Sequence, residues 1–181
     1  MRTLGPGSLA SILKVLLDVA YYLFWAGLGI ASLIIVIIIF GGIYRVFGST
    51  PPWLDQFLAL EIVLALPMSA IGLAAMIFII DRLRKIFRTL TDGDPFVPEN
   101  VNNLRMIAFG IGFYQILTYA SFGVMSLIFT LLGRPVEGGS RVVLGQVELN
   151  LGVWFAVLAL LVLAEVFREG TRLREEQKLT I

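Results

Sequence analysis

The sequence contains no cysteine and no histidine among its 181 residues. It therefore cannot form a disulfide or use a thiolate nucleophile, and it lacks the side chains that most often bind zinc or haem iron. Charged residues are also scarce, at 15% of the chain, whereas about a quarter is usual in soluble domains. We expect no metal site, no cofactor and no redox chemistry.

The few charges are balanced, with 14 basic and 13 acidic residues and a net charge of +1. A surface that binds nucleic acid needs a basic face, so no direct nucleic-acid binding is expected. The sequence also has no glycine-rich phosphate loop, no nucleophile elbow and no carboxylate pair beside an activating base. We predict no enzymatic activity and no catalytic residue.

Apolar residues, in contrast, make up 58% of the chain and form four uncharged runs of 26, 19, 28 and 16 residues. These runs are Val19–Tyr44, Ile62–Ile80, Met106–Gly133 and Leu149–Ala164. A membrane-spanning helix needs about 20 apolar residues, and apolar residues on both sides extend the fourth run. The sequence predicts an all-α polytopic membrane protein, a single membrane domain built as a bundle of four transmembrane helices. The predicted spans are about 19–44, 61–81, 105–132 and 148–167.

The basic residues are distributed unevenly between the two sides of the membrane. Eleven of them lie in the N-terminal segment, in the middle loop up to and including Arg105, and in the C-terminal tail 168–181, and only Arg45, Arg134 and Arg141 lie in the other two loops. Lys and Arg are enriched in cytoplasmic loops, so both termini and the middle loop are predicted to be cytoplasmic. On the other side, residues 137–144 fit either a small extracytoplasmic β-hairpin or a plain loop.

The middle loop, 82–104, begins as an amphipathic extension of the second helix. Apolar residues recur there at helical spacing between basic ones. They are Leu83, Ile86, Phe87 and Leu90. The basic face either anchors the helix at anionic lipid headgroups or docks a cytoplasmic partner.

The second part of this loop joins a turn to a helix entry. Asp92–Gly93 is a strong turn signal, and Pro98 suits the first turn of a helix. We expect Phe96 to pack back against the helices, and Asn100 and Asn103, three residues apart, to bond the loop's backbone. A structural clasp is favoured, and ligand or partner recognition is the alternative. The candidate residues here are Asp92, Gly93, Pro95, Phe96, Asn100, Asn103 and Arg105.

Charged residues near the ends of the spans are expected to be paired. Asp18 lies four residues after Lys14, a spacing that favours an ion pair on one helix. Glu165 lies near the inner end of the fourth span, where an unpaired carboxylate is costly, and Arg168 shares its face. Arg84 and Arg105 are the basic residues of other helices that could reach it. An ion pair is favoured over a proton or ligand site in a transport path. The candidate residues of this region are Glu165, Arg168, Glu169 and Arg172.

Two motifs carry a resemblance to a known family. One is Gly93–Phe96 with Asn100 and Leu104–Arg105, and the other is Val166–Gly170, continued through Leu173, Glu175–Glu176 and Leu179–Ile181. With them the chain resembles a bacterial family of YoaS-like, four-helix membrane proteins of unknown function. The resemblance implies a location in the bacterial inner (cytoplasmic) membrane and supplies no catalytic residues. Members are commonly encoded beside a small helix-turn-helix regulator, which implies a partner.

The leading hypothesis is a non-enzymatic inner-membrane protein that holds or releases a small helix-turn-helix DNA-binding regulator at its cytoplasmic face. Regions 82–105 and 165–181 would form the docking surface. One alternative is a small transporter or immunity-type protein that acts through the interior of the bundle, and another is a structural membrane subunit. The lipid bilayer is the expected surrounding partner, and a homo-oligomer is left open.

The predicted orientation can be checked with single cysteines, because the chain has none of its own. An impermeant thiol reagent added to intact cells should label Ser140→Cys and leave Thr171→Cys unlabelled. Labelling of Thr171→Cys alone would reverse the topology.

Overall fold

The computed structural model of the chain describes residues 9–48, 60–131 and 149–179. These residues form four helices and no strand, which confirms the predicted all-α fold. The helices are α1 (Leu9–Phe47), α2 (Leu60–Thr91), α3 (Pro98–Leu131) and α4 (Leu151–Leu179). The hairpin predicted at 137–144 lies outside the described residues.

Each of the four helices contains a stretch that is long and apolar enough to cross a membrane. These stretches are Ser11–Phe47, Ala65–Thr91, Pro98–Ile128 and Leu151–Gln177. Large apolar side chains such as Phe109, Phe113 and Phe155 are exposed on the protein surface, as expected where acyl chains are the solvent. The chain is a multi-pass membrane protein.

Two helices extend well past the C-terminal ends of their uncharged runs. α2 continues through Pro67 and past Ile80 to Thr91, and α4 continues to Leu179. The amphipathic pattern explains the end of α2, because Ile86 is buried there. α4 starts after a capping residue, since the Asn150 side-chain oxygen accepts a hydrogen bond from the Val153 amide at 3.3 Å.

The contacts divide the chain into two compact units. The first unit contains residues 1–24, 75–115 and 149–181, and the second contains residues 25–74 and 116–148. Every candidate residue named above lies in the first unit. Its apolar core consists of Ile86, Val101, Leu104, Ile107 and Ala164. The second unit buries Ala31, Ile38 and Ser126.

An ion pair joins α1 to α2 within the first unit. The Arg84 guanidinium donates to the Asp18 carboxylate and lies over the Tyr21 ring, 4.3 Å from its centroid. Asp18 therefore pairs across helices, and the pairing with Lys14 predicted from their spacing was wrong. The two side chains of the observed pair are 26% and 34% exposed, so the attraction is less screened than it would be in open water.

We predict that Asp18 and Arg84 are energetically coupled. A double-mutant cycle of Asp18→Asn and Arg84→Gln, measured by unfolding in mixed micelles, should give a coupling of about 0.5–1 kcal/mol, in the range of partly exposed pairs. The matched cycle of Asp18→Asn with Lys14→Gln should give a value near zero. A larger coupling to Lys14 would contradict the assignment.

Candidate functional site

The connecting segment, residues 92–97, joins α2 to α3 and starts with a helix-terminating turn. Gly93 has a φ of +84°, a left-handed conformation that glycine adopts without steric cost. The Gly93 amide donates to the Leu90 carbonyl at 3.2 Å, and the Asp94 amide donates to the Thr89 carbonyl at 3.0 Å. These two hydrogen bonds form a Schellman motif, which provides donors for carbonyl groups that have no partner within the helix. Asp92 stands exposed at the turn.

Asn100 holds the connecting segment from the first turn of α3. Its side-chain amide donates to the Pro95 carbonyl at 2.9 Å and to the Thr89 hydroxyl at 2.6 Å. Asn100 is 0% exposed, and Thr89 in turn donates to the Ile86 carbonyl at 2.8 Å. One asparagine thus bonds both the end of α2 and the backbone of the segment. This is the arrangement described above as a structural clasp.

Asn103 has a different role from the one expected. Its side-chain oxygen accepts a hydrogen bond from Arg82 on α2 at 3.4 Å, and no bond from Asn103 to the segment's backbone is found among the described residues. Arg82 also lies over the Phe78 ring, 5.1 Å from the centroid. The three-residue spacing places Asn103 nearly one helical turn beyond Asn100, where it faces α2.

Phe96 packs against α4, and the contact depends on a glycine. The ring lies 5.5 Å from the Phe167 ring, centroid to centroid, at a tilt of 44°. A Cβ built on Gly170 would lie 2.7 Å from two carbons of the Phe96 ring, closer than real Cβ atoms come. Only glycine at position 170 therefore lets the ring lie where it does.

A second contact between the connecting segment and α4 is electrostatic. The Arg174 guanidinium donates to the Asp94 carboxylate. Phe167, Gly170 and Arg174 are three and four residues apart, so they lie on one face of α4. The two motifs that are far apart in the sequence, around residues 93–105 and 166–176, thus meet in the folded chain.

Glu165 is held by two arginines. Arg105 on α3 lies 3.3 Å from one carboxylate oxygen, and Arg168, one turn along α4, contacts the other. Arg84, the other basic residue considered for this role, is bonded to Asp18 instead. The geometry matches an ion pair.

The rest of the α4 extension, residues 165–179, carries its own ion pairs. Arg172 lies 2.5 Å from Glu169 and 3.5 Å from Glu176, at spacings of three and four residues along the helix. These side chains are largely exposed, so each pair contributes about 0 to 1 kcal/mol. Such pairs favour the helical state of a segment that extends past the apolar run.

An open groove with a volume of about 460 Å³ lies between the start of α3 and the α4 extension. Two lining residues, Val101 and Thr171, are buried and form its base. The other residues that line it are Pro98, Arg168, Glu169, Arg172 and Glu175. Apolar surface and charged side chains are therefore both available to a bound molecule.

Thr171 also bears on the labelling experiment proposed above. It is buried at the base of the groove, and its hydroxyl donates to the Phe167 carbonyl at 2.9 Å. A cysteine there would react poorly whichever side of the membrane it faced. Gln177, exposed on the same helix, is the better position.

Several residues of this region were not singled out from the sequence as site residues. Arg174 and Thr89 hold the connecting segment, and Pro98, Val101 and Thr171 line the groove. One sequence signal could have indicated this contact. The spacing of Phe167, Gly170 and Arg174 places all three residues on one face of a helix. The described residues contain no group of three or more acidic, cysteine or histidine residues that could hold a metal ion.

The chain belongs to a family of proteins of unknown function. The family described as "Protein of unknown function (DUF2975)" matches residues 9–181, nearly the whole sequence. This confirms the resemblance to a family of unknown function, whereas the YoaS-like label is not part of that description and stays a prediction. No curated protein and no solved structure matches the chain at a significant level.

We predict that Gly170→Ala destabilises the docked connecting segment. The new methyl group would displace the Phe96 ring, and overpacking of this kind costs about 1–3 kcal/mol. The melting temperature in detergent should fall, and hydrogen exchange of residues 92–97 should become faster.

Two controls isolate the cause. Gly112→Ala adds the same methyl group where the nearest atom, on Trp154, is 3.8 Å away, so it should not lower the melting temperature. In a Phe96→Ala background, Gly170→Ala should have no destabilising effect. If Gly170→Ala is as harmful there as in the natural sequence, the contact with Phe96 is not what requires glycine.

Proposed function

We propose that the chain is a non-enzymatic protein of the bacterial inner membrane that holds or releases a small helix-turn-helix DNA-binding regulator at its cytoplasmic face. The docking surface is formed by the connecting segment, the start of α3 and the α4 extension. The supporting observation is that these parts pack into one ordered surface with an open groove. A solvated helix end would need none of these contacts.

The contacts of the connecting segment carry this argument. Asn100, Phe96 and Asp94 hold it from three directions, against α2, α3 and α4. Fixing a loop costs conformational entropy of about 1–2 kcal/mol per residue, so an ordered loop at a helix end requires compensation. A preformed surface also binds a partner at a lower entropic cost than a loop that must order on binding.

The mixed charge of the α4 extension favours a protein partner over lipid. Basic residues would suffice for attraction to anionic headgroups, and the interleaved acids Glu169, Glu175 and Glu176 would be repelled by them. Complementary charge between proteins sets orientation and specificity. The basic cluster on α2, from Arg82 to Arg88, remains the part suited to headgroups.

The proposed orientation follows from the basic residues. Eleven of the 14 lie in the N-terminal segment, in region 82–105 and in the C-terminal segment 168–181, and the other three are Arg45, Arg134 and Arg141. That distribution supports cytoplasmic termini and a cytoplasmic docking surface.

A transport function is less well supported. The one carboxylate near the end of the fourth apolar run, Glu165, is bonded to Arg105 and Arg168, which favours a structural ion pair over a site in a transport path. The candidate residues bond one another, which favours a structural and docking role for this unit.

The experiment is a membrane pull-down with a helix-turn-helix regulator encoded beside the gene, together with a reporter of that regulator's target genes. Deleting residues 173–181 should leave the chain in the membrane, reduce capture of the regulator and shift reporter expression. The deletion removes part of the groove and of the charged surface.

Arg174→Gln is the matched control, because it breaks the contact with Asp94 and keeps the rest of the α4 extension. The Arg174→Gln variant should still capture most of the regulator that the full chain captures. If the truncated protein captures as much regulator as the full chain and the reporter does not change, the proposed function is wrong.

A further inference from the structure

Two basic residues, at the start of α1 and at the end of α2, have no carboxylate partner. Asp18 pairs with Arg84 on α2 and so leaves Lys14 unpaired on its own helix. Arg88, one turn beyond Arg84, is exposed. Within the part of the chain that the structure describes, neither Lys14 nor Arg88 forms an ion pair. Both positive charges are therefore available to an anion from outside the chain.

The pair between Asp18 and Arg84 fixes the register of these two helices. The first unit holds the start of α1 together with the end of α2, so the two helices run antiparallel there. Lys14 lies four residues before Asp18, and Arg88 lies four residues after Arg84, a spacing that nearly preserves the face of a helix. Both steps lead toward the same side of the bilayer, by about 6 Å each. Lys14 and Arg88 therefore lie at the same level on neighbouring helices.

This level corresponds to the headgroup layer of the bilayer. The uncharged run of α1 begins at Val19, which follows Lys14 by five residues, or about 7.5 Å along the helix. A headgroup layer is about 5–8 Å thick on each side of the hydrocarbon core. The side chains of Leu16 and Val19 are exposed, so apolar surface continues from the hydrocarbon core up to the two cations.

We propose that Lys14 and Arg88 together bind the phosphate of an anionic phospholipid between α1 and α2. Phosphate oxygens accept charge-assisted hydrogen bonds from ammonium and guanidinium groups, and the planar guanidinium can contact two oxygens at once. A phosphate that bridges two cations also removes the repulsion between them. Neither residue belongs to the proposed docking surface, so this site goes beyond the proposed function.

The apolar surface beside the two cations favours a lipid over a free anion. A lipid covers Leu16 and Val19 with its acyl chains while its phosphate meets the two positive groups. A water-soluble anion gains only the electrostatic contacts, which are weak and screened by salt at an exposed site. The ligand of this site is therefore a phosphate that carries acyl chains.

The carboxylates closest in sequence to the two cations leave the site open. Asp18 is held by Arg84, and Asp81 lies 2.7 Å from Lys85. Asp92 is exposed in the turn that follows α2, and it forms no ion pair with any residue that the structure describes. An anionic headgroup would thus meet two unpaired cations beside side chains whose charges are already matched.

Lipid binding is measured by native mass spectrometry of the full chain in a neutral detergent, from the fraction of chains that retain one added lipid. Phosphatidylglycerol is anionic, whereas phosphatidylcholine places a cation of its own beside the same phosphate. The natural chain should bind phosphatidylglycerol about tenfold more tightly than phosphatidylcholine. The combined variant Lys14→Gln, Arg88→Gln should lower this preference to less than about twofold, because both positive groups of the site are gone.

The matched control is the combined variant Lys85→Gln, Arg172→Gln. It also removes two positive charges, from residues that already have carboxylate partners, and it should keep the preference for phosphatidylglycerol. The inference is wrong if the two combined variants lose the preference equally, or if the variant of Lys14 and Arg88 binds phosphatidylglycerol as tightly as the natural chain does.

Melting temperatures in the same detergent separate a lipid site from a structural role. Without lipid, the variant of Lys14 and Arg88 should melt no lower than the natural chain, because it loses only a repulsion between like charges. Phosphatidylglycerol should raise the melting temperature of the natural chain and leave that of the variant unchanged. A lower melting temperature of the variant without lipid would show that the two residues stabilise the fold itself, and it would overturn the inference.

Inorganic phosphate identifies the source of the bound group. Added in place of lipid, it should leave the melting temperature of the natural chain unchanged. If it raises that temperature as much as phosphatidylglycerol does, the ligand is a free anion and the lipid assignment is wrong.

Discussion

The space left by the missing side chain at Gly170 is what allows the connecting segment to lie against α4. The Phe96 ring fills that space and reaches Phe167, one helical turn away. With the ring anchored there, Asp94 faces Arg174, and the Pro95 carbonyl lies within reach of Asn100. A side chain at position 170 would displace the ring from this place. The contact between the connecting segment and α4 at Phe96 thus depends on a close approach of an aromatic ring to a helix backbone.

Most charged side chains described in the same unit form ion pairs, several of them between residues far apart in the sequence. Asp18 with Arg84, Glu165 with Arg105, and Asp94 with Arg174 each join two different elements. The pairs within the α4 extension act locally along one helix. Because a lone charge near the lipid boundary is costly, long-range pairs of this kind let charged residues approach the apolar layer.

Sequence patterns predicted the parts of the fold that depend on local chemistry. The lengths of the uncharged runs predicted the four membrane helices, and Asp92–Gly93 predicted the turn. α3 begins at Pro98, whose fixed φ suits the first turn of a helix. The partners of Asp18 and Asn103 were missed, because a pair across helices depends on how each helix is rotated about its axis. Spacing along a single helix carries no information on that rotation. The groove was missed for the same reason, since it is lined by residues from two helices.

One turn of α4 serves two neighbours at once. Gly170 and Arg174 face the connecting segment, while Thr171 and Arg172 face the groove. A molecule that bound the groove more tightly with the segment docked would stabilise the docked segment by the same factor, because such linkage is reciprocal. Because the segment is the covalent join between α2 and α3, a molecule bound in the groove would act through it on both of those membrane helices.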